Sequence, residues 1–157
     1  MSMLEARLIA TVRDLCRRTG RRPRDAFMRR AVSTAYYAMF HALCRLCADQ
    51  LIGGKHERTA AWQRIYRAME HKTAKNALLR REVTDLHPAL ATFGVTFAIL
   101  QEKRVAADYD PASFSIYFDE TNSLVDQAES AIKSLYGIDD DIKRNLAAIL
   151  LIRVRQS

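Results

Sequence analysis

Apolar residues recur at spacings of three and four along almost the whole chain, and no stretch alternates convincingly with a period of two. An α-helix repeats its faces about every 3.6 residues, whereas a half-buried strand alternates, so the pattern selects helices. Leu4, Leu8, Val12 and Leu15 make one stripe, and Val32, Tyr36, Met39, Leu43 and Leu46 a second. Trp62, Ile65, Tyr66 and Met69 make a third, and Leu86, Leu90, Phe93, Phe97 and Leu100 a fourth. Phe114, Phe118, Thr121, Val125, Ala128, Ile132 and Leu135 follow, then Ile142, Leu146, Ile149 and Leu150. Turn residues separate the stripes: "TGRRPRD", "IGGKHE", "LHP", "DYDPASF" and "YGIDDD". The spacing predicts an all-α fold, a single up-and-down helical bundle of five to six helices with short antiparallel connections. Pro88 suits a helix first turn, and Asp110 before Pro111 suits the N-cap of the fifth helix.

The chain has 157 residues, the size of one domain spanning 1–157. At that length a core buries about 70% of the unfolded surface without disulfides. The three cysteines, Cys16, Cys44 and Cys47, do not form a disulfide framework. Cys44 and Cys47 sit in apolar company in mid-helix, where buried structural thiols are expected rather than a redox pair. The longest apolar runs, Gly94 to Leu100 and Ala147 to Ile152, are too short to span a bilayer. With no secretory pattern at the start, a cytoplasmic protein with no membrane association is expected.

The net charge is +7, and its distribution is lopsided. Residues 1–30 hold nine arginines against three acids, a surplus of six. The surplus is densest in "RRTGRRPR" (Arg17 to Arg24), within an Arg-rich first helix and loop at about residues 13–30 that includes Arg21, Arg22 and Arg24. Arginine suits bidentate phosphate contacts, so a polyanion is a candidate ligand for these three. A solvated face is the competing reading of the same charge run.

On a helical wheel with Val32 at zero, Tyr36, Met39, Leu43 and Leu46 fall within about 40° of it. Arg30, Thr34, Tyr37, His41 and Arg45 fall within about 40° of the opposite side. His41 therefore lies in a polar stripe, beside an aromatic hydroxyl and two guanidiniums. In the third helix, with Trp62 at zero, Arg64, Arg67 and His71 group on the side away from Tyr66 and Met69. Histidine beside arginine is a pair suited to RNA cleavage. Neutral imidazole can take a proton from a ribose 2′-hydroxyl, or give one to the leaving oxygen. Arginine can neutralise charge growing on the phosphorus, and no metal or other cofactor is needed.

The stretch "TAYYAMFHALCRL" (Thr34 to Leu46) resembles the second-helix signature of HEPN domains, and "QEKRVAADYDP" (Gln101 to Pro111) resembles an R-x-x-A-D-Y-D-P segment of the same family. "AWQRIYRAMEHK" (Ala61 to Lys72) resembles the segment between them in one bacterial branch. The resemblance covers nearly the whole chain. It implies an HEPN-like helical bundle, a homodimer, and in many members a metal-independent endoribonuclease of a toxin–antitoxin or defence system. The site it implies is an arginine, then four to six residues, then a histidine, with two copies sharing one cleft. Arg64 and His71, with six residues between them, have that spacing, whereas Arg67 and His71, with three, do not. On this reading Arg64 and His71 are catalytic, and Arg67, His41, Tyr37, Arg30 and Arg45 line the cleft. A second reading is an inactive module binding RNA, a nucleotide or a protein such as an antitoxin or a nucleotidyltransferase-like partner.

The segment around Arg104 is read as a loop clasp, with Asp108 and Tyr109 holding Arg104 or reaching another helix. His56 and His87 have no partner legible in the sequence. Nucleophile signatures and glycine-rich phosphate loops are absent.

Overall fold

The structure is a computed structural model that describes residues 1–17, 24–111 and 118–152. Arg21 and Arg22 lie outside the described residues, as does the side chain of Arg24. Among the described residues there are eight α-helices and no strand. They are α1 (Met3–Arg17), α2 (Arg24–Leu51), α3 (Ala60–Tyr66), α4 (His71–Leu78), α5 (Arg81–Thr84), α6 (Pro88–Tyr109), α7 (Phe118–Tyr136) and α8 (Asp140–Leu151). A single 3-10 turn, Gly54–His56, follows α2. No helix among them is long and apolar enough to cross a membrane.

The long helix α2 is the hub. It packs against α1, α3, α6, α7 and α8. Ala31, Val32, Ala35, Tyr36, Ala38, Met39, Ala42, Leu43, Leu46 and Cys47 are buried around most of its circumference. Its polar stripe is where the wheel puts it: Arg30 is exposed, and Thr34, Tyr37, His41 and Arg45 are half-buried. Cys44 and Cys47 are free and buried, and burial pushes the Cys44 thiol up to about 12. Phe93, Phe97 and Leu100 of α6 and Val125, Ala128, Ile132 and Leu135 of α7 complete the core around α2.

The expected third helix is two helices, and this is why the count exceeds five to six. α3 ends at Tyr66, Glu70 is extended (φ −105°, ψ 136°), and α4 starts at His71. The physical reason is a phase mismatch. Trp62 and Met69 share one helical face, while Ala74, Ala77 and Leu78 lie roughly 110° around from it at 100° per residue. All five are buried. The break lets each face meet the core from a helix of its own. Arg64 and His71 are therefore not two turns apart on one helix.

Two further readings change. Asp110 closes α6 instead of opening the next helix, its N–H bonded to the Ala106 carbonyl. The following helix is described from Phe118, and Phe114 lies outside the described residues. Pro88 does occupy the first turn of α6. The histidine before it, His87, supplies the cap, its Nδ1 accepting from the Ala89 N–H at 3.1 Å. Gly94 is a point of close approach: a Cβ there would lie 2.8 Å from the Leu78 carbonyl oxygen. α4 and α6 thus touch backbone to side at the end of the helix that His71 begins.

Candidate active site

Four elements converge beside the polar stripe of α2. α2 contributes Ser33, Tyr36, Tyr37, Phe40 and His41; α3 contributes Tyr66; α4 begins with His71; and the last turns of α6 carry Arg104 and Asp108. The break after α3 makes this possible, because it swings His71 inward while leaving Arg64 and Arg67 on the outside.

His71 is half-buried, its ring stacked on Phe40 with centroids 3.9 Å apart and planes 26° apart. Its Nδ1 lies 2.6 Å from the Tyr36 hydroxyl. Tyr37 meets the same ring edge-on at 6.2 Å. Burial lowers the His71 pKa below its ordinary value of 6.5, and the charges of Arg104 and His41 lower it further. Tyr36 is fully buried, and burial raises its hydroxyl pKa so far that it stays protonated.

His41 makes a parallel contact one turn along. Its Nδ1 is 2.7 Å from the Tyr66 hydroxyl. Burial lowers its pKa, while the Glu5 carboxylate of α1 works in the opposite direction. Burial pushes the Tyr66 hydroxyl up to about 12. Tyr66 in turn stacks on Trp62 at 4.9 Å, and Trp62 donates its Nε1–H to Asp49 at 2.9 Å. Arg45 is engaged on this side of the site. It donates to Glu57 at 2.7 Å and lies over the Trp62 ring at 5.4 Å.

Arg104 is the arginine that accompanies the histidines. Its Nη2 donates to the Tyr37 hydroxyl at 3.0 Å, and its guanidinium lies 5.6 and 5.4 Å over the Tyr36 and Tyr37 rings. Its Nε is 3.0 Å from Asp108 but off the line a hydrogen bond needs, so the contact is an ion pair. Asp108 is fixed in turn by the Ser33 hydroxyl at 2.8 Å. Asp108 therefore holds Arg104 as expected, but the clasp sits in the last turns of α6 instead of on a loop. Tyr109 is exposed. Arg29 secures the segment, donating to the carbonyls of Ala107 at 2.8 Å and Asp110 at 2.7 Å. A cation at that end also suits the helix dipole.

The structure thus brings together His71, His41 and Tyr37 from the expected set. Arg64 and Arg67 stand exposed, and among the described residues neither bonds to a histidine or to a carboxylate. Arg30 is likewise exposed. The sequence reading did not assign Tyr36, Phe40, Tyr66 or Arg104 to the site. A signal existed for Tyr36: a buried tyrosine in an otherwise aliphatic stripe must find a partner for its hydroxyl. For Arg104 the Arg104–Asp108 spacing of four was legible, but not its place over two tyrosine rings.

Two cavities lie elsewhere. One of about 620 Å³ is bordered by Thr92, Thr96, Ser123 and Ser130 of α6 and α7. The other, of about 920 Å³, is bordered by Glu70, Thr73, Glu82, Asn145 and Ile149. Neither is lined by His41, His71 or Arg104. The groups able to move protons and hold anions gather instead around His41, His71 and Arg104. Among the described residues no three His, Cys, Asp or Glu side chains are placed to hold a metal ion. Comparison of the chain with protein-family models, with curated proteins and with solved structures gave no match.

Proposed function

We propose that the chain is an HEPN-type, metal-independent endoribonuclease whose site lies where α2, the start of α4 and the end of α6 meet. The observation that carries this reading is the pairing of a half-buried His71 with Arg104, joined through Tyr36 and Tyr37. RNA cleavage by internal attack needs a group to take the 2′-hydroxyl proton, a donor to the phosphate, and a cation to offset the growing negative charge. Two histidines and Arg104 supply those three functions. Arg64, Arg67 and Lys72 are exposed, and in this reading they would meet flanking phosphates of a bound single strand. The homodimer with a composite cleft belongs to the same proposal, as does an antitoxin or nucleotidyltransferase-like partner, and both rest on the motif resemblance.

The test is cleavage of a mixed RNA pool in EDTA by the wild type, His71→Ala and Arg104→Ala, with the mass of each measured in solution. Cleavage by the wild type that both variants lose supports the proposal. A well-folded wild type that cuts nothing, yet binds RNA through Arg64 and Arg67, would establish the second reading, a binding module without chemistry. One observation favours that alternative: Arg104 is already occupied by Asp108 and Tyr37.

A further inference from the structure

Both histidines present Nδ1 to a tyrosine hydroxyl, yet the two arrangements differ in what each ring can do. Tyr36 is fully buried, and among the described residues His71 Nδ1 is its hydroxyl's one hydrogen-bond partner. A buried hydroxyl proton left without an acceptor carries a large desolvation cost. The Tyr36 proton therefore points at Nδ1. Nδ1 must then be bare, and neutral His71 carries its own proton on Nε2. Adding a proton at Nδ1 would strand the tyrosine proton and set an imidazolium against Arg104. Asp108 offsets part of that charge but is itself bound to Arg104 and Ser33.

His41 is under neither constraint. Tyr66 is half-buried where Tyr36 is fully buried, so burial does not fix its hydroxyl proton on Nδ1 in the same way, and His41 Nδ1–H can donate to it. Burial lowers the His41 pKa, and the carboxylate of Glu5 on α1 offsets part of that effect. Arg45, on the same helix, has its charge shared with Glu57 and Asp49. The Phe40 ring contacts both imidazoles, its centroid 3.9 Å from that of His71 and 6.2 Å from that of His41.

We infer that Tyr36 is a positioning residue that holds His71 as a neutral Nε2–H donor, and that the proton-accepting role in the site falls to His41. The assignment of roles rests on the nuclease reading; the tautomer does not. In the reaction, His41 Nε2 takes the proton of the ribose 2′-hydroxyl. The 2′ oxygen forms its bond to phosphorus as the bond to the 5′ oxygen breaks. His71 Nε2–H donates to a non-bridging phosphate oxygen beside Arg104. The 5′ oxygen leaves with its electron pair and is protonated by water, and the hydroxide formed recovers the proton from His41.

The test has two readouts on the full chain. Long-range ¹H–¹⁵N correlation spectra of the ¹⁵N-labelled protein at neutral pH report which ring nitrogen carries the proton. The expected spectrum has His71 protonated on Nε2 and bare on Nδ1, with Tyr36→Phe turning it into a mixture of tautomers. A proton on Nδ1 in the wild type, or a Tyr36→Phe spectrum unchanged from it, overturns the positioning role. The second readout is the pH–rate profile of RNA cleavage. His41→Gln should lower the rate by roughly a hundredfold or more and remove the limb that rises with pH, whereas His71→Gln should lower the rate and keep that limb. A rising limb that survives in His41→Gln overturns the His41 role. If the wild type cuts no RNA while the tautomer is as stated, the nuclease reading and the His41 role fall and the Tyr36 assignment stands.

Discussion

Replacing Gly94 by alanine sets two known effects against each other at one atom. Gly94 lies inside α6, where alanine ordinarily stabilises a helix by about 1 kcal/mol over glycine. The new methyl would meet the Leu78 carbonyl oxygen at 2.8 Å, and the Leu78 carbonyl carbon at 3.3 Å. Backbone atoms cannot rotate away as a side chain can, so α4 must slide off α6. Overpacking of this kind costs about 1–3 kcal/mol. Because α4 must move as a body, the upper half of that range applies, leaving a net loss of about 1–2 kcal/mol. For a chain of this size that is a fall in Tm of about 2–8 °C. Gly137 is the internal control, since a Cβ there meets nothing nearer than 3.5 Å. Thermal unfolding by circular dichroism should give a lower Tm for Gly94→Ala and a near-unchanged one for Gly137→Ala. A Tm raised by Gly94→Ala would mean that helix propensity outweighs the contact, and would refute the close packing of α4 on α6. The same displacement would carry His71, at the other end of α4, away from Tyr36, so activity should fall with stability.

Two further outcomes follow from the site. Both histidines have folded pKa values below the ordinary 6.5, so below that pH the unfolded chain binds more protons than the folded one. The stability they contribute is full above pH 6.5 and is lost as pH falls through their folded values. Tm measured from pH 7.5 to 5 should therefore fall, and fall less in a His41→Gln, His71→Gln double variant; an equal slope in both would count against buried, neutral histidines. Glu129, held below its usual range by Lys133 and Arg13, contributes stability above pH 4.5 that is lost only at lower pH, outside this window. Arg104→Lys keeps the charge but loses the flat fork that lies over Tyr36 and Tyr37 while reaching Tyr37 Oη and Asp108. RNA cleavage should drop about tenfold or more with little change in Tm, and a fully active lysine variant would remove Arg104 from the site.

The all-helical class was legible because nearly every core residue lies in a run with helical spacing, from Val12 to Leu150. The polar stripe of α2 was legible for the same reason, since the positions opposite Val32 are the less buried ones. The break between α3 and α4 was harder to read, because no glycine or proline marks residues 67–70. Its trace in the sequence is the phase shift between Trp62 and Met69 on one side and Ala74, Ala77 and Leu78 on the other. That shift has meaning only once both faces must meet one core. The same break decided the site. Periodicity carried across it puts His71 beside Arg64 and Arg67, whereas the fold turns His71 inward to Tyr36 and Phe40. The arginine near His71 comes instead from α6, more than thirty positions away in the chain, a juxtaposition that local spacing does not encode. His87 as the N-cap of α6, and Asp110 as its C-cap, likewise depend on where the neighbouring helices end.

The most direct test of the central claim is the chemistry of the cut. An RNA oligonucleotide and its 2′-O-methyl counterpart are incubated with the wild type and with His71→Ala in EDTA, and the product ends are identified by mass. The account expects the wild type alone to cut, only the RNA, leaving a 2′,3′-cyclic phosphate on the upstream product. Cutting of the 2′-O-methyl strand, or undiminished cutting of the RNA by His71→Ala, would contradict it.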